Sequence, residues 1–218
     1  VFAINEVNLK IVASQNCCGM PKLELGDLRS VERFKNKNIG EMSRLVQEGY
    51  KITAPIPSCV LMYRKELPLM FPGDENVRSV SQMMIDPFEL LMQMHKASLL
   101  NVNFMKSLGK VAYHAPCHQR VQNIGPKTKE VLELVPDSSV ALIERCSGHD
   151  GTYGVKKESY PFATKICRPV VRAIKESSPD FYISDCPMAF DLIAQGVGTK
   201  SNFKSAFSAL KYAYGVES

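Results

Sequence analysis

The residues with chemical potential begin in the run Asn16 to Asp27, NCCGMPKLELGD, where two neighbouring cysteines are followed by a glycine and the start of a helix. A disulfide between Cys17 and Cys18 is disfavoured: neighbouring Cα atoms sit about 3.8 Å apart, and ordinary disulfides want roughly 4.4 to 6.8 Å. Two adjacent thiolates aimed at one inorganic centre is the better reading. Glycine after them lets the backbone approach a bulky centre and leaves amides free to donate to anionic sulfur. Cys59, Cys117, Cys146, Cys167 and Cys186 bring the cysteine count to seven. An odd set in a chain that reads as cytosolic points to metal or redox chemistry rather than to a disulfide framework.

The spacing of these cysteines repeats. When Cys17 is laid on Cys146, Cys18 falls on Ser147 and Gly19 on Gly148, and the next turn follows at nearly the same distance. Ile56 lies 39 residues after Cys17, and Cys186 lies 40 after Cys146. Cys59 then falls on Ala189. The chain reads as an internal duplication in which each copy has lost different cysteines from a C-C-G…C-x-x-C template. The second copy has a further turn, YHAPCHQR, with Cys117 placed 29 residues before Cys146. The same offset from Cys17 falls before Val1, so the first copy is expected to be N-terminally incomplete.

The elements that must position these turns alternate. Asn8 to Ala13 (NLKIVA) reads as a buried strand leading into the doublet. Leu28, Val31, Phe34, Ile39, Met42, Leu45 and Val46 recur at helical spacing, with Asp27 as N-cap and Gly49 as the stop. Tyr50 to Ala54 is a second strand, running through PIPSC into a helix from Cys59 to Leu67. The pattern returns with a strand at Val140 to Glu144, a helix from Ser159 to Lys175 interrupted by Pro169, and a strand at Phe181 to Ser184. The fold class expected is α/β, as two pseudo-repeated parallel-sheet units with cysteine turns at the carboxyl ends of the strands. The first repeat is assigned to residues 1–67 and the second to 110–218. Residues 68–109, rich in proline and methionine, read as a helical connector with one helix opened by Asp86-Pro87.

Composition excludes several functions. The charge of +5, from 27 Lys and Arg against 22 Asp and Glu, is spread without a block of like charge, which argues against nucleic acid as a partner. No apolar run approaches the roughly 20 residues of a transmembrane segment, and the first residues lack the layout of a secretory signal. The expectation is a cytoplasmic protein, with peripheral attachment to the inner face of a membrane left open. GHDGTYG lacks the order of a phosphate-binding loop, and nothing announces a hydrolytic triad or carboxylate pair.

From about Leu9 to Gly196, the chain resembles the cysteine-rich CCG domain of the family of the heterodisulfide reductase B subunit. That family includes the C subunit of anaerobic glycerol-3-phosphate dehydrogenase and the iron–sulfur subunit of lactate-utilisation complexes. The stretches that carry the resemblance are CCGMPKLELGD, YHAPCHQR, CSGHDGTYGVKKE and SDCPMA. It implies an electron-transfer subunit of an oxidoreductase complex that binds iron–sulfur clusters, in the best-known member a non-cubane cluster held by five cysteines per copy; with fewer cysteines in each copy here, the expectation is a cluster of the 4Fe-4S type. Its implied partners are a flavoprotein dehydrogenase or other redox subunit, with a quinone or membrane module beyond it.

Carried over residue by residue, the resemblance implies Cys17, Cys18 and Cys59 as ligands in the first copy and Cys117, Cys146 and Cys186 in the second. Ser147, Ala189 and Ile56 stand where the full motif has cysteine. Neither copy is complete, so an ordinary cluster needs a fourth ligand. His149, three residues after Cys146, is the first candidate, with His118 and His114 beside Cys117 as the others. Three Cys and one His also form a recognised zinc set, so a non-redox zinc module for assembly is the alternative. Cys167 has no place in the template and reads as core packing.

Overall fold

In the computed structural model, which describes residues 1–199 and 201–216, the Cys17-Cys18-Gly19 turn runs directly into a short helix, α1 (Met20–Leu23). The long apolar series forms α2 (Leu28–Gln47), where the Asp27 carboxylate accepts the Ser30 amide at 3.2 Å. Gly49 ends it at φ +91°, a left-handed position suited to glycine. Val31, Ile39, Met42 and Leu45 turn inward along one face of α2, as an amphipathic helix requires. The PIPSC segment opens α3 (Pro57–Leu61), which continues through a π-helical turn at Met62–Glu66 into α4 (Leu67–Met70). Next comes α5 (Glu75–Met83), whose N-cap Asp74 also pairs with Lys35 of α2 at 2.7 Å. Val60, Met62, Tyr63, Leu67, Val77 and Val80 pack with the α2 face into one core. Residues 9–90 form one compact unit on this core.

Two strands expected in this unit do not form. Asn8 to Ala13 is irregular chain, with Leu9 57% and Ile11 78% exposed to water and only Val12 packed against the core. Of Tyr50 to Ala54, only Ile52 pairs, in an isolated parallel bridge to Met84. A strand needs neighbours for its amides and carbonyls, and here α2 packs on α5 where a sheet would have to lie.

The second unit comprises residues 1–8 and 91–218. The division falls within α6 (Pro87–Lys96), whose start is capped by Asp86, accepting the Phe88 and Glu89 amides at 2.9 and 3.2 Å. Residues 68–90 pack within the first unit and 91–109 within the second. There follow β1 (Gly109–His114), α7 (Cys117–Arg120), α8 (Lys127–Leu132), β2 (Ser138–Ile143), α9 (Tyr160–Ser177), β3 (Phe181–Ser184), α10 (Pro187–Val197) and α11 (Ala206–Ala213).

The three strands make an all-parallel sheet in the order β2-β1-β3, so the fold is mixed α/β. The central strand, β1, is the one the sequence patterning passes over. Cys167 lies with Ala163, Val170, Ile174, Tyr182, Phe190 and Ile193 in the core where α9 and α10 pack on the sheet. Register aligns His114 with both Ile143 and Ser184, so the strands end level. The turns beyond that edge carry Cys117, Cys146 and Cys186, at the side where parallel α/β sheets gather their sites.

Candidate metal centres

In the second unit, each cysteine leaves a different strand. Cys117 follows β1 and opens α7, and Arg120 one turn later donates to its Sγ from Nη2 at 3.4 Å. Cys146 follows β2, and the Gly148 amide turns back to donate to its Sγ at 3.3 Å. That turn depends on glycine: Gly148 has φ +79°, and a Cβ there would lie 2.2 Å from the Ala163 carbonyl oxygen of α9. Cys186 follows β3 as the N-cap of α10.

The three thiols influence one another. Burial pushes the Cys146 thiol above its ordinary range, and neighbouring Cys117, within hydrogen-bonding reach, adds to the rise. Burial likewise raises Cys186; the Ala189 and Met188 amides oppose it, and the charge of Cys117 reinforces it. Thiols that hinder one another's ionisation are a site whose electrostatic cost a bound cation relieves.

The first unit gathers Cys17, Cys18 and Cys59. The buried Cys18 thiol donates to Cys59; this bond, with burial, holds Cys18 strongly protonated and lowers Cys59 towards the thiolate. The charge of Cys17 opposes ionisation of Cys59. Gly19, at φ +97°, donates its amide to Cys17 Sγ at 3.5 Å, the same two-residue return made by Gly148.

The doublet is held by a residue that no sequence pattern singled out. Asn38 of α2 is 0% exposed, and its Oδ1 accepts the Asn16 amide at 2.7 Å. Its Nδ2 faces the Asn16 and Cys17 carbonyls at 3.3 and 3.1 Å and the Tyr63 hydroxyl at 2.8 Å. Tyr63 lies within reach of the charges of Cys18, Cys59 and Cys17, which add to burial in raising its pKa.

The histidines divide. His149 is half-buried, and burial lowers its pKa, with the charge of His118 adding to the effect and Asp150 opposing it. His149 and His118 therefore lie near each other beside the Cys146 and Cys117 turns. Both ring nitrogens of His114 are engaged, by Ser184 and the Arg145 carbonyl, which leaves it no lone pair for a metal. Among the described residues, no three His, Cys, Asp or Glu side chains are arranged as the donors of a single ion.

A second set missed in the sequence is the buried group around Asp185, next to Cys186. The Tyr113 hydroxyl and Thr128 Oγ1 sit 2.9 and 2.8 Å from Asp185 Oδ2, and Gln119 of α7 bonds to both Tyr113 and Thr128. Polar residues inside the apolar runs at VAYH and FYISD were the available signal. A groove of about 610 Å³ between α9 and α10, lined by Cys167, Arg168, Val171, Arg172 and Leu192 among others, includes none of the six template cysteines. No helix among the described residues is long and apolar enough to cross a membrane.

Known proteins are similar to this chain in sequence. The chain is 27% identical over 180 residues to the C subunit of anaerobic glycerol-3-phosphate dehydrogenase of Escherichia coli, a match covering 82% of this chain and 45% of the relative. It is 26% identical over 178 residues to the B subunit of the CoM/CoB fumarate reductase of Methanothermobacter marburgensis, covering 79% and 32%. Against lactate utilization protein A of Oceanobacillus iheyensis it is 27% identical over 150 residues, covering 66% and 59%. The chain thus spans less than half the length of the first two relatives. The model of the cysteine-rich domain called CCG matches residues 1–64 and 111–188, the segments that hold all six template cysteines: the chain belongs to the cysteine-rich CCG domain family.

Proposed function

We propose that this chain is an electron-transfer subunit of an oxidoreductase complex, with an iron–sulfur cluster of the 4Fe-4S type held by Cys117, Cys146 and Cys186 and a second held by Cys17, Cys18 and Cys59. The observation that carries the reading is the convergence of three thiols from three turns at one level edge of the parallel sheet. When bound, such a cluster supplies one-electron chemistry at a potential set by its surroundings. The chain's own part is to hold the sulfurs and to aim the Gly148 and Gly19 amides at them, where donated hydrogen bonds tune a metal centre.

Local geometry supports treating residues 1–67 and 110–218 as repeats joined by 68–109. Ile56 and Cys186 each precede a helix that opens with proline, with φ and ψ of −109° and 119° in one and −101° and 111° in the other. Relatives named as subunits of a glycerol-3-phosphate dehydrogenase and a fumarate reductase support a place in a multi-subunit complex. A flavoprotein dehydrogenase would be the donor and a quinone or soluble carrier the acceptor, with the assembly lying peripherally on the inner face of the membrane.

Anaerobic reconstitution with iron and sulfide tests the reading. A brown protein with stoichiometric iron and acid-labile sulfide is the expected result. A colourless protein that excludes iron and takes stoichiometric zinc would replace it with the assembly module. His149 is proposed as the fourth ligand of the second-unit cluster, with His118 as the other candidate. His149→Ala is accordingly expected to lower iron content at that centre. A variant unchanged in iron content and in midpoint potential would pass the position to His118 or to a ligand from solution.

A further inference from the structure

We infer that His114 is a positioning residue of the second-unit centre, its imidazole tying the turn that bears Cys146 to the turn that bears Cys186 while its own strand delivers Cys117. The inference rests on the metal reading above for its purpose, and on geometry for its existence. His114 is 1% exposed at the end of the central strand. Its Nε2 lies 2.9 Å from the Arg145 carbonyl oxygen, and its Nδ1 lies 3.0 Å from Ser184 Oγ. Ser184 Oγ is in turn 3.4 Å from the Cys186 amide. Arg145 immediately precedes Cys146.

The partners fix where the protons are. A carbonyl oxygen only accepts, so Nε2 carries the proton and donates to Arg145. The Nδ1 of a neutral ring then has a lone pair, so the Ser184 hydroxyl donates to it and the Ser184 oxygen is free to accept from the Cys186 amide. The bonds all point one way: Cys186 N–H to Ser184, Ser184 O–H to His114, His114 Nε2–H to Arg145. Burial, with the charge of Arg120 adding, pushes the imidazole down to about 4 against the opposing pull of the Arg145 carbonyl, so the ring holds the neutral form this chain needs. The backbone ladder stops at His114, Ile143 and Ser184. Beyond it, a rigid planar ring bonded at both nitrogens fixes the separation of the two outer turns, as outer partners do for metal ligands.

The experiment has one arm that requires no metal and one that does. In metal-free protein, long-range proton–nitrogen NMR of the imidazoles, assigned through the signal lost in His114→Gln, should show His114 protonated at Nε2 alone. A ring protonated at Nδ1, or doubly protonated at neutral pH, overturns the inference. Ser184→Ala cuts the link to the Cys186 turn while leaving the ring and all three thiols. In metal-free protein it should speed iodoacetamide alkylation of Cys186, followed by mass spectrometry. After reconstitution it should load as much iron as wild type but release it to a chelator about ten-fold faster, the low end of what losing an outer partner costs. Ser184→Thr, which restores the hydroxyl, should return both rates towards wild type. Wild-type rates in Ser184→Ala overturn the strut, and so does a loss of iron at loading as complete as in Cys146→Ser. Should wild-type protein take up no iron, the metal reading fails, and the tautomer and alkylation arms still decide the role of His114.

Discussion

Cys146→Ser is expected to strip iron from the second-unit centre and to lower the melting temperature of the reconstituted protein more than Cys17→Ser does. Cys146 is tied into its trio: its thiol is within hydrogen-bonding reach of Cys117, its sulfur receives the Gly148 amide, and the turn that carries it lies against α9. Cys17 and Cys146 are both exposed, but Cys18 and Cys59 still bond to each other without Cys17. Free energy of metal binding adds to that of folding, and at this chain length each kcal/mol lost moves the midpoint by about 2 to 4 °C. Metal-free forms of the two variants should melt close to metal-free wild type, because serine keeps the shape and leaves no buried charge. Iron assays and calorimetry on both variants check the ranking; equal losses of iron and of melting temperature would defeat it.

Asn38→Ala should have the largest effect of any change outside the thiols, destabilising the protein by about 3 kcal/mol. The amide bonds to the Asn16 amide, two carbonyls of the doublet turn and the Tyr63 hydroxyl from a site with no exposure. Each buried polar group left without a partner costs about 1 to 3 kcal/mol, and the exposed side of the turn can recover part of that from water. Asn38→Asp should not rescue the variant, since a carboxylate cannot donate to the Asn16 and Cys17 carbonyls. Urea unfolding measures the loss, and faster alkylation of Cys17 in the metal-free variant reports release of the turn. A change below about 0.5 kcal/mol, the range of an ordinary surface substitution, would show that the turn holds itself.

The sequence was most legible where local chemistry decides structure. Asp27 and Asp86 cap helices because an aspartate before an apolar period satisfies free amides wherever it stands. Cysteine spacing grouped Cys117 with Cys146 and Cys186, and Cys17 and Cys18 with Cys59, thiols that lie near one another in the fold because each sits in a short turn beside a regular element. Strands were harder. NLKIVA has the composition of a strand but no neighbour to pair with, while GKVAYH, with a lysine near one end and a histidine at the other, became the central strand because β2 and β3 flank it. Asn38 and His114 were illegible as anchors for a related reason. Each is an ordinary polar residue until the chain closes around it, and its partners lie 21 to 25 residues away for Asn38 and 31 to 70 for His114.

The level strand ends also serve as a ruler. With neighbouring strands about 4.8 Å apart, the turns leaving the two outer strands start about 10 Å from each other, on either side of the central one. Cys117, leaving from the middle strand, is the thiol whose charge is felt at both Cys146 and Cys186. The sheet thus sets where the two outer turns begin, and it leaves the span between them to the thiol of the central strand.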